Sequence, residues 1–412
     1  MLFHALFFSS KKHLPLFLSL GMIFVLNIVG YSVVFPLFQS PNFPLFLDLI
    51  QNRPLSLGIL IGVYGLGQFL GILFCKKLEY HIRSRWVILL TSVLFLIGHL
   101  IMVLGLFQTS FGIIFFGRLL SGVGSGNSRM ILERLIRSET FDFSPYMALI
   151  LAYLGALSLF LGPWLGASLG DIEVLKGGGG CVAVATITLI NILFLYLFLE
   201  NRDEKRAKEP FWIHLIEEIF LVFLVHHHKK AIYRFALFFA GWILSLIAFP
   251  YFFATLFEVA YKGIGDIFSF LFVTWFFGLV FLNPELSGKF AKKRLAYVAI
   301  WGLVIGMFLS FFAPKVWLFW ILIPIIGFCG ALVFANMKEI FAPSFLLKLE
   351  LPILGVLIYV ATFIELLTPI LATLFQIQEP RIGLFWSATL FFILACSLSF
   401  SDLGRKNIRK TS

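Results

Sequence analysis

Gly117-Arg118-Leu119-Leu120-Ser121-Gly122-Val123-Gly124-Ser125-Gly126 lies inside an apolar segment that runs from Phe111 to about Ile131 and is long enough to cross a bilayer. At helical spacing Arg118, Ser121, Gly122, Ser125, Gly126 and Arg129 share one face. Glycine and serine at i and i+4 let a neighbouring helix approach backbone to backbone. A guanidinium one turn from that seam cannot face lipid without cost, so it is expected in a protein interior or a wet cavity, beside a solute or ion pathway.

The rest of the chain repeats the apolar pattern of this segment. Of 412 residues, 60% are hydrophobic and 13% charged, with a mean hydropathy of +0.99. A soluble domain carries about 25% charged residues. Continuous apolar runs of about 20 residues predict a polytopic α-helical membrane protein. They do not alternate, which excludes a β-barrel. The lipid bilayer is therefore the first partner expected.

Twelve spans are predicted, at about 14–38, 55–75, 86–107, 111–134, 146–169, 181–199, 231–256, 267–283, 295–313, 316–340, 350–376 and 383–401. The eighth is the shortest. With the N-terminus inside, 26 of the 32 lysines and arginines fall on the cytoplasmic side, five on the other, and Arg118 within a span. This bias predicts both termini cytoplasmic. It also explains the net charge of +11 without nucleic acid, because the basic residues are scattered over many short loops. Residues 1–8 precede Lys11-Lys12-His13 rather than follow them, the wrong order for a signal peptide. The short loops and the lack of an N-x-[ST] site fit a bacterial inner membrane.

The longest polar interruption, Asn201 to Lys230, predicts halves at 1–200 and 231–412 with a cytoplasmic connection at 201–230. Within that connection Phe211 to Val225 reads as an interfacial helix. Phe35-Pro36 matches Phe249-Pro250. Leu161-Gly162-Pro163-Trp164-Leu165-Gly166 matches Leu367-Thr368-Pro369-Ile370-Leu371-Ala372. Gly71 with Lys76-Lys77 matches Gly288 with Lys292-Lys293. These pairs occur in the same order in both halves and point to a parallel six-plus-six duplication.

The chain resembles the major facilitator superfamily over essentially its whole length. Arg118 through Gly126 resembles the family's fourth-helix pattern, with Ser121 where glutamine is usual. Gly155 with Leu161-Gly162-Pro163-Trp164-Leu165-Gly166-Ala167 is similar to the fifth-helix signature of the drug:proton antiporter branch. Gly71 to Arg85 resembles the loop after the second helix, with Cys75 near the usual aspartate and the second glycine missing.

The resemblance implies two six-helix bundles that open alternately to each side, with Arg118 assisting proton or substrate coupling. It also implies a helix seam made by Gly122, Gly126, Gly155, Gly162, Pro163 and Gly166, and a cytoplasmic gating loop holding Lys76, Lys77, Glu79, Arg83 and Arg85. Secondary transport follows as the expected function, proton-coupled export of a small organic or amphipathic compound. Import or exchange of an organic anion, with Arg118 as its partner, is the alternative. A membrane-embedded enzyme lacks a cluster of acids or histidines at an interface, and a sensor built on a transporter fold is a third class.

For the candidate residues two readings stand side by side. Arg118 is a pathway residue or a structural cation bonded to carbonyls. Glu365, the most isolated acid, lies in the middle of Val356–Thr373 and either carries a proton or packs as a paired carboxylate. Asn27 and Tyr31 face a cavity or bond between helices. His99 reads as locally satisfied, and Glu133 with Arg129, Arg134 and Arg137 as a cytoplasmic charge cluster. His226-His227-His228 sits beside Lys229-Lys230 at the membrane surface, and no metal site is assigned to it. Cys75, Cys181, Cys329 and Cys396 form no paired motif and read as small apolar packers. No phosphate-binding loop is present and no cofactor is expected; the chain is expected to act as a monomer.

Overall fold

A computed structural model describes residues 14–39, 53–128, 130–131, 144–170, 172–199, 229–336, 351–376, 379 and 381–411. The interfacial helix, the histidine triplet and the Arg129–Arg137 charge cluster fall outside the described residues. Every regular element among the described residues is helical.

The first group of helices is α1 (Leu14–Ser32), α2 (Arg53–His81), α3 (Ser84–Phe107), α4 (Phe111–Ser125), α5 (Ser144–Gly170) and α6 (Gly179–Phe198). The second is α7 (Lys229–Phe257), α8 (Tyr261–Phe277), α9 (Lys292–Phe312), α10 (Phe319–Ala335), α11 (Leu351–Gln376) and α12 (Ile382–Thr411). Eight helices among the described residues are long and apolar enough to cross a membrane, and three shorter apolar ones accompany them. The chain divides into two compact units, Met1–Ser56 with Leu60–Ile216, and Leu57–Ile59 with Glu217–Ser412.

Three boundaries differ from the sequence expectation, each for a local reason. The eighth span is long rather than short. α8 continues through a π turn, Gly278–Leu282, into a helical end at Asn283–Lys289, so the candidate span covers Lys262–Lys289. The wide turn absorbs the register change, and Asn283 donates its N–H back to the Gly278 carbonyl. The fourth span is interrupted by a turn. α4 stops at Ser125, where the Gly126 N–H bonds the Val123 carbonyl, and the chain resumes helical bonding with the Ile131 N–H on the Asn127 carbonyl. The Gly71–Arg85 stretch is not an open loop. α2 stays helical to His81, and only Ile82 and Arg83 separate it from α3. Lys76, Lys77 and Glu79 thus ride on the last turns of α2, and Arg85 on the first turn of α3.

α1 ends because Pro36 has no N–H to offer the Ser32 carbonyl four residues earlier. The chain tightens into the 3-10 turn Phe35–Gln39. The matching Pro250 lies inside α7, which runs on to Phe257. Of the two matched prolines, Pro36 thus lies just beyond a helix end and Pro250 within a helix.

In the first unit, Leu20, Ile23, Cys75, Val87, Ile88, Met130 and Leu195 form one buried apolar cluster drawn from α1, α2, α3, the chain after α4, and α6. In the second, Phe249, Phe252, Phe253 and Phe257 of α7 gather around Phe319 at the start of α10, with ring centroids 4.7 to 6.4 Å from its ring.

Candidate functional site

The site is built on α4, which is held between two neighbours. On one side Gly98 of α3 faces Gly117 and Ser121, and a Cβ added at Gly98 would stand 2.7 Å from the Ser121 Cα. On the other, Gly122 faces Gly67 of α2, where an added Cβ would stand 3.0 Å from the Gly67 Cα, and Gly126 faces Gly71. Close main-chain contact thus lies on both faces of α4. Side chains are excluded along both faces, so three helices lie main chain to main chain.

Arg118 projects from this sandwich and is fully buried. Its Nε donates to the Leu60 carbonyl of α2 at 3.1 Å, Nη1 to the Gly30 carbonyl and Nη2 to the Tyr31 carbonyl of α1. Gly30 and Tyr31 belong to the last turn of α1, whose final carbonyls lack helical donors. The guanidinium fork therefore closes the end that Pro36 leaves open. Its carbon lies 4.3 Å from the centroid of the Tyr64 ring and 6.0 Å from that of Tyr31, positions that favour a cation. No acidic residue occurs within α1, Leu14–Ser32, to pair with Arg118. The geometry supplies main-chain oxygens instead.

A second polar thread continues from Tyr64. Its hydroxyl donates to the Asn27 carbonyl at 2.6 Å. The Asn27 amide donates to Asn127 Oδ1 and to Ser128 Oγ, both at 2.9 Å. Asn127 in turn donates to Thr91 Oγ1 of α3 at 3.0 Å, and Thr91 donates to the Val87 carbonyl at 2.7 Å. Asn27, Tyr64, Thr91 and Asn127 are all buried. Buried polar groups in an apolar setting are costly unless bonded, so this thread fixes the register of α1, α2, α3 and the end of α4.

Arg118, Asn27 and Tyr31, proposed from the sequence separately, come together in this one region. Tyr64, Thr91 and Asn127 complete it and were not singled out. Asn127 had a local signal, an amide directly after Gly126 where the apolar run ends. Tyr64 and Thr91 carry none, because each is an ordinary residue of an apolar helix. His99 lies close by, buried, with Nδ1 at 2.9 Å from the Phe95 carbonyl of its own helix.

Gly162 and Gly166 of α5 lie against the end of α1. An added Cβ at Gly166 would stand 3.1 Å from the Val33 carbonyl carbon and 3.3 Å from Pro36 Cδ. Gly180 of α6 closes on Gly166 from the other side, where an added Cβ would stand 2.9 Å from the Gly166 Cα. Pro163 is buried inside α5, and Gly155 lies two turns earlier on the same helix. Glu365 sits in the second unit, half-buried on α11, on the face that carries Thr362 and Pro369. Among the described residues no group of three or more histidine, cysteine, aspartate or glutamate side chains could hold a metal ion.

The sequence profile of the Major Facilitator Superfamily matches residues 16–345. No curated protein sequence matches the chain. Among solved structures it is similar to a D-xylose-proton symporter, with 17% identity, 95% of this chain and 97% of the other covered, and a TM-score of 0.68. It is likewise similar to the human organic anion transporter MFSD10 (TETRAN), with 15% identity, coverage of 94% and 100%, and a TM-score of 0.66. The nucleoside transporter NupG is a third, with 13% identity, coverage of 93% and 98%, and a TM-score of 0.65. At such identities these likenesses establish the fold alone. The profile match covers most of the chain, and the chain belongs to the major facilitator superfamily as an integral membrane transport protein.

Proposed function

We propose that this member of the superfamily is a secondary active transporter that exports a small organic or amphipathic compound by alternating access, coupled to protons. In this reading twelve helices form two six-helix bundles, 1–200 and 231–412, joined by the 201–230 connection. Both termini lie in the cytoplasm of a bacterial cell, and the protein works as a monomer in the inner membrane. Assignment to the drug:proton antiporter branch is part of the proposal. The packing of Gly162 and Gly166 against the end of α1 supports it, because that end carries the Gly30 and Tyr31 carbonyls that hold Arg118.

The observation that carries the reading is the full burial of Arg118 on three main-chain carbonyls. A cation held there stiffens the end of α1 against α2 and α4, so these helices can move as one body when access alternates. Glu365 serves as the proton carrier in the other half, since it is the acid midway along the apolar stretch Val360–Leu374. An amphipathic cargo needs no fixed counter-charge, in keeping with an arginine whose fork is already engaged.

Reconstituted protein tests this with fluorescent amphipathic dyes under an imposed pH gradient. Wild type should move dye with the gradient, and Glu365→Gln should lose that drive while Arg118→Gln loses flux of every kind. Unchanged proton-driven flux in Glu365→Gln would remove Glu365 from coupling. Uptake or exchange of an organic anion on Arg118 would require the side chain to leave those carbonyls. Anion transport abolished by Arg118→Lys in a stably folded protein would favour that second reading.

A further inference from the structure

Arg85, on the first turn of α3, is not used by the site above. Its Nη2 donates to the Tyr196 carbonyl in the last turn of α6 at 2.6 Å. The guanidinium carbon lies 5.6 Å from the centroids of both the Trp86 and the Tyr196 rings. Nε of Arg85 is buried and has no hydrogen-bond partner among the described residues. Both rings are turned outward, with Trp86 47% and Tyr196 55% exposed. Lys77 and Arg83 lie exposed on the same helix junction.

This combination has a specific chemical meaning. Amphipathic rings of tryptophan and tyrosine settle at the headgroup level of a bilayer. Between them stands a guanidinium whose position is fixed by a main-chain bond, so little side-chain freedom remains to be lost on binding an anion. Arginine matches the geometry of a phosphate diester with paired N–H donors. The exposed apolar surface of α6, including Leu193, Phe194 and Leu197, runs away from the cluster and offers a wall for acyl chains.

We propose that Arg85, Trp86 and Tyr196, with Lys77 and Arg83 around them, form a binding site for the headgroup of an anionic phospholipid. The site lies at the junction of α2, α3 and α6. The orientation proposed above places it in the cytoplasmic leaflet, but the binding itself does not depend on that orientation or on transport. Phosphatidylglycerol meets the chemistry, because its phosphate carries the only charge of its headgroup. Phosphatidylcholine carries a compensating cation that the basic cluster repels. Occupancy would brace α3 against α6 next to the helix that lines the seam at Arg118.

The test uses the full chain, purified, delipidated and placed in nanodiscs of phosphatidylcholine with increasing phosphatidylglycerol. A phosphatidylglycerol brominated on its acyl chains is the quencher of tryptophan fluorescence. The part of the quenching that Trp86→Phe removes reports this site. It should saturate with phosphatidylglycerol, weaken in high salt, and stay unchanged on adding soluble glycerol phosphate. Arg85→Gln should require about fivefold more lipid for the same quenching, the effect of one basic residue at a membrane surface. Because Arg85 also bonds α6, Arg83→Gln provides a second reading on an exposed side chain and should weaken binding in the same direction. Equal quenching by brominated phosphatidylcholine, or no change in either arginine variant, would overturn the proposal. Displacement by glycerol phosphate would also overturn it, because the site would then bind a free phosphate and not a lipid.

Discussion

Around α4 the glycines of one helix meet the main chain of the next, whereas the nearest atoms to Gly241, Gly302, Gly327 and Gly330 in the second unit belong to side chains. Gly122 faces Gly67, Gly126 faces Gly71 and Gly98 faces Ser121, all at backbone distance. In the second unit Gly302 faces the thiol of Cys329, Gly327 the side chain of Thr274, Gly330 the ring of Trp242 and Gly241 the ring of Phe391. Pairs at related places, Gly67 with Gly122 and Thr274 with Gly327, join the second helix to the fourth and the eighth to the tenth. The contact recurs in both units, and what fills it differs. A membrane interior offers no hydrophobic drive between helices, so both units rely on close packing and interhelical bonds. One achieves it with bare backbone and a buried polar thread, the other with interlocked rings and a π turn in α8.

The difference has mechanical consequences. A main-chain contact cannot yield without moving a whole helix, while a thiol or a ring can turn about its own bonds. The first unit is thus the stiffer one around its fourth helix, and the arginine adds bonds that no side-chain rotation in α1 can release. The two asparagines after the fourth and tenth helices carry the same contrast. Asn127 links to Asn27 and Thr91 across three helices, whereas Asn336 donates to Asn283 Oδ1 at 3.0 Å and to the Leu332 carbonyl of its own helix.

Substitutions can break this comparison, and the largest effect is expected at the seam. Gly122→Ala should destabilise by about 3 kcal/mol, since neither backbone can give way. Gly302→Ala should cost less than about 1 kcal/mol, because the Cys329 thiol can rotate. Thermal unfolding of detergent-purified protein followed by size exclusion measures both, and equal losses would erase the distinction. Next comes Arg118→Gln, which leaves buried carbonyls short of donors and should cost about 2 kcal/mol. Arg118→Lys should recover only part of this, since a point charge cannot span Leu60, Gly30 and Tyr31 together. A lysine variant as stable as wild type would show that the charge alone matters. The smallest effect is expected for Phe253→Leu in the aromatic cluster, about 1 kcal/mol, the scale of a lost edge-to-face contact. A loss as large as that at Gly122 would mean that the second unit is as rigid as the first.

Much of the architecture could be read in advance from period and composition. The apolar runs marked an all-helical membrane chain, and Arg118, one turn from small residues in α4, is buried. The boundaries that failed were those set by local bonding. A π turn lengthens α8, a turn at Gly126 interrupts the fourth span, and α2 continues to His81 through residues that are polar enough to read as loop. For the site, Arg118 and Asn27 stood out because a charge or an amide in an apolar run is rare. Tyr64 and Thr91 did not, because nothing in their own segments distinguishes them from packing residues.

The sequence by itself determined that this is a helical membrane protein, that a cation lies deep in its fourth helix, and that small residues flank it. These follow from transfer energies and helical periodicity, which act residue by residue along the chain. Only the tertiary structure decided what the cation touches. Its partners are main-chain carbonyls of α1 and α2, which every residue carries and no sequence pattern marks. Those of α1 became available because that helix ends beside α4, a meeting that depends on how the helices pack.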